Sequence, residues 1–177
     1  LFDTPRGLVM LHIRNADQRI RFERILSAYK TSNVPSQGLL IAQSIEMEPL
    51  ASYTLLRYLN WINKQGFHVE EFGRHFYRIR AVPSWLELDQ SEAFIRDMVD
   101  LLRQRGTTDK ENKLVWEAVA KLAVEGSYQR SDLMSDVAVQ KMAETLLSCE
   151  IPHTAPSGKP TFSEISWSDW DKRFGNA

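Results

Sequence analysis

Residues 12–23, HIRNADQRIRFE, hold a dense group of side chains that could do chemistry. His12, Asp17 and Glu23 are metal-ligating types, and a hydrolytic metal site needs several such groups converging on one point. Asp17 and Glu23 are six positions apart, however, and share a helix face poorly. Arg14, Arg19, Arg21 and Arg24 lie among them, and fixed cations repel a metal ion. From its own residues the stretch reads as an amphipathic helix behind a strand, with its arginines facing water.

Four other stretches carry candidate chemistry. Cys149 and His153 form a C-x3-H pair, but two ligands are too few for zinc. Cys149 reads as a small hydrophobe and His153 as a loop residue. APSGKPT, from Ala155, has Gly-Lys without Walker spacing, which excludes a phosphate loop on motif grounds. RHFYRIRAV places Arg74, Arg78 and Arg80 among Phe76 and Tyr77. Such a sheet face could hold single-stranded nucleic acid, or it is a half-buried strand with arginines on its wet side. QGLLIA, Gln37 to Ala42, has the form of a peptide-docking motif, a glutamine for a polar pocket followed by aliphatics, but taken alone it is only a strand.

The elements that must position these residues follow from periodicity. Leu8 to Ile13 is a short apolar run, expected as a buried strand. Asn15 can N-cap the next helix with Gln18 in capping-box spacing, and Phe22, Ile25, Leu26 and Tyr29 form one helical stripe. GLLIAQSIEME is a second strand. Pro49 suits a helix first turn, with Leu55, Leu56, Leu59 and Ile62 inward and Gly66 closing it. FHVEEF and HFYRIRAV flank Gly73 and Arg74 as a hairpin. Three helices follow: one burying Ile95, Met98, Val99 and Leu102; one carrying Val115, Ala118, Val119 and Leu122; and one from about Asp132 to Cys149. A Pro/Gly loop, a strand FSEIS and a short helix with Trp167, Trp170 and Phe174 end the chain. The pattern β-α-β-α-β-β-α-α-α-β-α predicts an α+β fold with mixed sheets backed by helices. The middle, 46–106, can form its own helix-backed sheet inserted into a unit made from 1–45 and 107–177.

Composition sets bounds on partners. The 177 residues are 43% hydrophobic and 25% charged, with a formal net charge of -1. That balance gives no global pull toward nucleic acid or an anionic membrane. A single cysteine excludes an internal disulfide and suits a reducing, cytoplasmic setting. No apolar stretch is long enough to span a bilayer. The chain begins LFDTPRG, without Met, as expected for a domain preceded by a linker in a larger protein.

Five stretches in order resemble the C-terminal domain of the MutL family of DNA mismatch repair proteins: HIRNADQRIRFE, QGLLIA, AVPSWL, VAKLAV and APSGKPT. In nuclease-type members the first is D-Q-H-A-x-x-E-x-x-x-x-E, the second a clamp-binding strand, the fourth A-C-[RK]-x-A-[IV] and the last C-P-H-G-R-P-T. By this resemblance the family's aspartate falls on His12, its histidine on Arg14 and its first glutamate on Gln18. Only the last glutamate stays, as Glu23. The second-motif cysteine is Ala120, and the third-motif cysteine and histidine are Ala155 and Ser157. One carboxylate cannot hold a divalent pair for phosphodiester hydrolysis. The resemblance thus implies a nuclease site with its ligands lost, and no metal or cofactor in this domain.

What the resemblance leaves is assembly. It implies a homodimerisation module whose dimer joins two N-terminal ATPase heads into a ring that clamps DNA, with 1–45 plus 107–177 as dimerisation subdomain and 46–106 as external subdomain. Trp167, Trp170 and Phe174 are the interface candidates. The mismatch-recognition protein and DNA would be met through the full-length protein. Gln37, Leu39, Leu40 and Ala42 form a candidate site for the sliding clamp, weakened because the motif's final proline is Ala42. Two competitors stand beside this expectation: a metal-dependent nickase with ligands rebuilt from His12, Glu23, Cys149 and His153, and a clamp-binding adaptor that does not self-associate.

Overall fold

Alternation and turn chemistry build two antiparallel sheets. In a computed structural model the structure describes residues 1–31, 34–105, 112–126 and 134–175. The strands are β1 (Phe2–Thr4), β2 (Gly7–Leu11), β3 (Ser36–Glu46), β4 (His68–Gly73), β5 (Phe76–Pro83) and β6 (Phe162–Ser166). The helices are α1 (Ile13–Lys30), α2 (Pro49–Lys64), α3 (Ser91–Arg105), α4 (Asn112–Gly126), α5 (Asp136–Leu147) and α6 (Trp167–Arg173). The fold is α+β, as expected, and among the described residues every strand pairing is antiparallel rather than mixed. The chain divides into two compact units, Leu1–Glu23 with Tyr128–Ala177, and Arg24–Ser127.

The first unit is made from both chain ends. Its sheet has the order β1-β2-β6, with Leu8 opposite Ile165 and Met10 opposite Ser163. Gly7 permits the close approach of β6, since a Cβ there would run into the Ile165 carbonyl oxygen. Serines start α5 and α6 of this unit. Ser135 Oγ accepts from Ala138 N at 3.3 Å and Ser166 Oγ from Asp169 N at 3.0 Å, each satisfying an orphan amide of the first turn. Between α5 and β6 the chain forms a loop closed by a bridge between Thr154 and Pro160, with Gly158 turning it at φ 82°.

The second unit is the middle of the chain. Its sheet has the order β3-β5-β4, so residues 36–45 lie here with the hairpin. The hairpin turns through Gly73, Arg74 and His75, the last at φ 68°. Pro49 opens α2 as the missing N–H of proline allows. Leu55, Tyr58 and Ile62 bury one face of α2, and Ser52 Oγ lies 2.6 Å from the buried Tyr77 hydroxyl of β5. Ile95, Met98, Val99 and Leu102 of α3 are all buried, and α3 packs on α2 and α4. Phe94 stacks on Phe67 at 5.9 Å and meets Trp85 edge-on at 5.3 Å, filling the end of this core.

Several expectations change. β1 falls in LFDTPRG, which reads as linker, because its alternation lasts only three residues. Leu56, expected inward, is 42% exposed, while Tyr58 is buried on the helix's inward face. α5 starts at Asp136, where Ser135 supplies the cap, rather than near Asp132; Asp132 itself lies outside the described residues. Among the described residues no helix is long and apolar enough to cross a membrane.

Candidate functional site

The polar stretch 12–23 forms the start of α1, and the helix begins earlier than its composition suggests. His12, not Asn15, caps it: His12 Nδ1 accepts from Asn15 N at 3.2 Å. Asn15 and Gln18 are therefore inside the helix, and both are buried. Asn15 Nδ2 donates to the Pro160 carbonyl at 2.7 Å. Arg19 is likewise buried rather than facing water, because its Nε donates to the Thr154 carbonyl at 2.5 Å and its guanidinium lies over the Phe22 ring at 5.4 Å. Arg21 does face solvent, paired with Asp17 at 3.0 Å.

Glu23 completes the row. Its carboxylate accepts from Glu150 N at 2.7 Å and Ile151 N at 3.1 Å, and Arg19 Nη1 sits 3.5 Å away. These amides follow the end of α5, and charge-assisted bonds of this kind are stronger than neutral ones. Residues 15, 19 and 23 are spaced i, i+4, i+8, which is one face of a helix. That face grips the backbone of 150–160 at four points. Thr161, fully buried, ties the loop's far end: its hydroxyl donates to the Pro152 carbonyl and its amide to the His153 carbonyl at 3.0 Å.

The remaining candidates differ in exposure. Arg14 and Ser157 are exposed, Ala155 is buried in the first unit, and Ala120 is buried in the second. Cys149 is half-buried with its Sγ 3.6 Å from the Thr145 carbonyl. Burial, and then the Glu23 carboxylate beside it, pushes this thiol up to about 11. His153 is exposed with its ring 5.2 Å from Phe162. Among the described residues no three His, Cys, Asp or Glu side chains come together as metal ligands would.

The comparisons with known proteins meet this geometry directly. The model of the MutL C terminal dimerisation domain matches residues 1–133. The chain belongs to that family. "DNA mismatch repair protein MutL" of Opitutus terrae is 34% identical over 174 residues, covering 98% of this chain and 28% of that protein. The protein of the same name from Akkermansia muciniphila is 31% identical over 176 residues, 99% of this chain and 27% of that protein. That from Halothermothrix orenii is 25% identical over 169 residues. This chain therefore spans little more than a quarter of the MutL proteins it matches.

The MutL resemblance also singles out the β3 motif, and the structure gives it two characters. Between Gly38 and Gln43 the register with β5 breaks, and Leu40 and Ile41 stand out at 100% and 82% exposure. Leu39 and Ala42 are half-buried at the base of this bulge. Gln37 does not point outward as a docking glutamine would: its Nε2 donates to the Leu86 carbonyl at 2.7 Å and lies 3.3 Å from that of Pro83. Trp167 and Trp170 sit on α6 and Phe174 caps its C-terminal end, all at least partly exposed, with Trp167 Nε1 donating to the Thr4 carbonyl at 3.1 Å and Trp170 ring-to-ring with Phe174 at 5.4 Å. The grip of Asn15, Arg19 and Glu23 on residues far along the chain was not visible in the sequence. The only local signal was their four-residue spacing.

Proposed function

We propose that this chain is the self-association module of a DNA mismatch repair protein, and that its nuclease site is degenerate. The observation that carries the reading is how the first unit distributes its apolar side chains. Met10, Val137, Leu147, Ile151 and Phe174 are well exposed there, with Trp167 and Trp170 partly so, against a small buried set of Ala16, Phe22, Leu146 and Ala155. A surface of that kind resembles a core divided between two chains, as in obligate dimer interfaces. Pairing of two copies would hold two ATPase-bearing N-terminal parts together as a ring around DNA.

What the side chains at the aligned positions do supports the reading of a degenerate nuclease site. Glu23 has both oxygens engaged by backbone amides, and His12 spends Nδ1 on the helix cap. Arg14, Gln18, Ala120, Ala155 and Ser157 bring no anionic ligand. A divalent pair would find one carboxylate, already occupied.

Light scattering at micromolar concentration tests the central statement. The wild-type chain should be a dimer, and the Trp170→Glu/Phe174→Glu variant should lose mass while keeping its helical circular dichroism. A wild-type monomer at that concentration overturns the reading. The exposed Leu40–Ile41 bulge favours one additional role, docking of the sliding clamp on β3. Clamp binding that survives Leu40→Ser/Ile41→Ser removes it.

A further inference from the structure

The outer face of the β3-β5-β4 sheet carries a feature that self-association leaves unused. Phe76, Arg78 and Arg80 point outward from β5, while Tyr77, Ile79 and Val82 are buried on the opposite face. Tyr77 is thus removed from the aromatic–basic stripe expected from the sequence. The register slips between Glu71 and Gly73, and Phe72 joins the outer face in its place: its ring lies 6.1 Å from that of Phe76 and 4.6 Å from the Arg78 guanidinium. Both rings remain 40% exposed or more.

Charge on this face favours an anion. Arg80 closes on Glu70 at 2.7 Å and neutralises it, whereas Arg78 is 4.0 Å from the same carboxylate and lies over the Phe72 ring instead. Arg74 is exposed at the hairpin turn, and Glu46 of β3, across from Phe76, is the remaining acid on the face. The balance is positive on a chain whose net charge is -1. Exposed aromatic rings supply stacking surface and the guanidinium beside them a phosphate contact, the two ingredients of sequence-tolerant single-strand binding.

We propose that this sheet face binds single-stranded nucleic acid, with bases stacked on Phe72 and Phe76 and the backbone held by Arg78 and Arg74. The proposal stands apart from self-association, since it uses the second unit alone. The test is fluorescence anisotropy of a labelled oligothymidylate titrated with the 177-residue chain at low and moderate salt. Wild type should bind, Phe72→Ala/Phe76→Ala should bind at least about thirtyfold more weakly, the loss of two stacked bases, and Phe76→Tyr should bind as wild type. Arg78→Gln should reduce the salt slope by about one phosphate contact. Three results each overturn the proposal: no binding by wild type at low salt, unchanged affinity in the double-alanine variant, or equal competition by duplex DNA, which has no free base to stack. A loss of mass in the double-alanine variant would make the face a protein interface and overturn it as well.

Discussion

Removing the Glu23 carboxylate is the sharpest probe of the polar row on α1. In Glu23→Ala the amides of Glu150 and Ile151 lose their acceptor, and the buried Arg19 guanidinium loses an ion pair at 3.5 Å. A hydrogen bond to a charged group contributes about 1.5–3 kcal/mol. The two amides belong to exposed residues, so water recovers part of that, and the long ion pair adds at most about 1 kcal/mol. The expected destabilisation is about 2–4 kcal/mol, which for a chain of this size lowers Tm by roughly 5–12 °C. Glu23→Gln keeps one acceptor and should lose about half as much. Thermal unfolding by circular dichroism reads the magnitude, and hydrogen exchange at Glu150 and Ile151 reads the place. A loss under about 0.5 kcal/mol with unchanged exchange at those amides would refute a structural role for the carboxylate. Stabilisation of wild type, but not of Glu23→Gln, by added zinc or manganese would refute the account from the other side and return Glu23 to metal binding.

Other outcomes follow from the same coordinates. Cys149, held up to about 11 by burial and by Glu23, should alkylate slowly with iodoacetamide at neutral pH and faster as pH rises toward that value, and Glu23→Gln should speed it at fixed pH. Its raised value also means that the stability this protonated thiol contributes is intact below the ordinary cysteine range and is lost as pH climbs through about 11, readable in alkaline melts. Gly7→Ala should destabilise the chain by about 2–4 kcal/mol in urea unfolding, because its Cβ meets the Ile165 backbone and the β2–β6 pairing must open. Gln37→Ala should lower stability by about 1–2 kcal/mol through lost bonds to the 83–86 turn. Leu40→Ser should leave stability unchanged within about 0.5 kcal/mol, so a clamp-binding defect in the first variant alone would report folding.

Elements whose own spacing specifies them were legible in the sequence. Ile95, Met98, Val99 and Leu102 repeat at helical period and are buried without exception, and the hairpin turns where Gly73 and Arg74 predict. Legibility ends where a partner lies far along the chain. Arg19 is an ordinary surface residue until the Thr154 carbonyl, 135 positions away, accepts from it. Asn15 has the right type for an N-cap, but Pro160, 145 positions on, claims its side chain and His12 takes the cap. Leu56 and Tyr58 exchange roles because hydropathy ranks leucine above a tyrosine whose ring packs well at a boundary. The candidate site was harder still: residue types at 12, 18 and 23 say what is absent from a metal centre, and only the geometry says that Glu23 has other work.

The bonds from Asn15, Arg19 and Glu23 of α1 to residues 150–160 are made to main-chain carbonyls and amides. Main-chain groups are present whatever the side chain, so the shape of that loop depends little on the exposed side chains of Ser157 and Lys159. Such a loop can vary in composition at its exposed positions while its path stays constant. A library randomised at the exposed Ser157 and Lys159 should therefore yield folded chains at high frequency, whereas one randomised at the buried Ala155 should not.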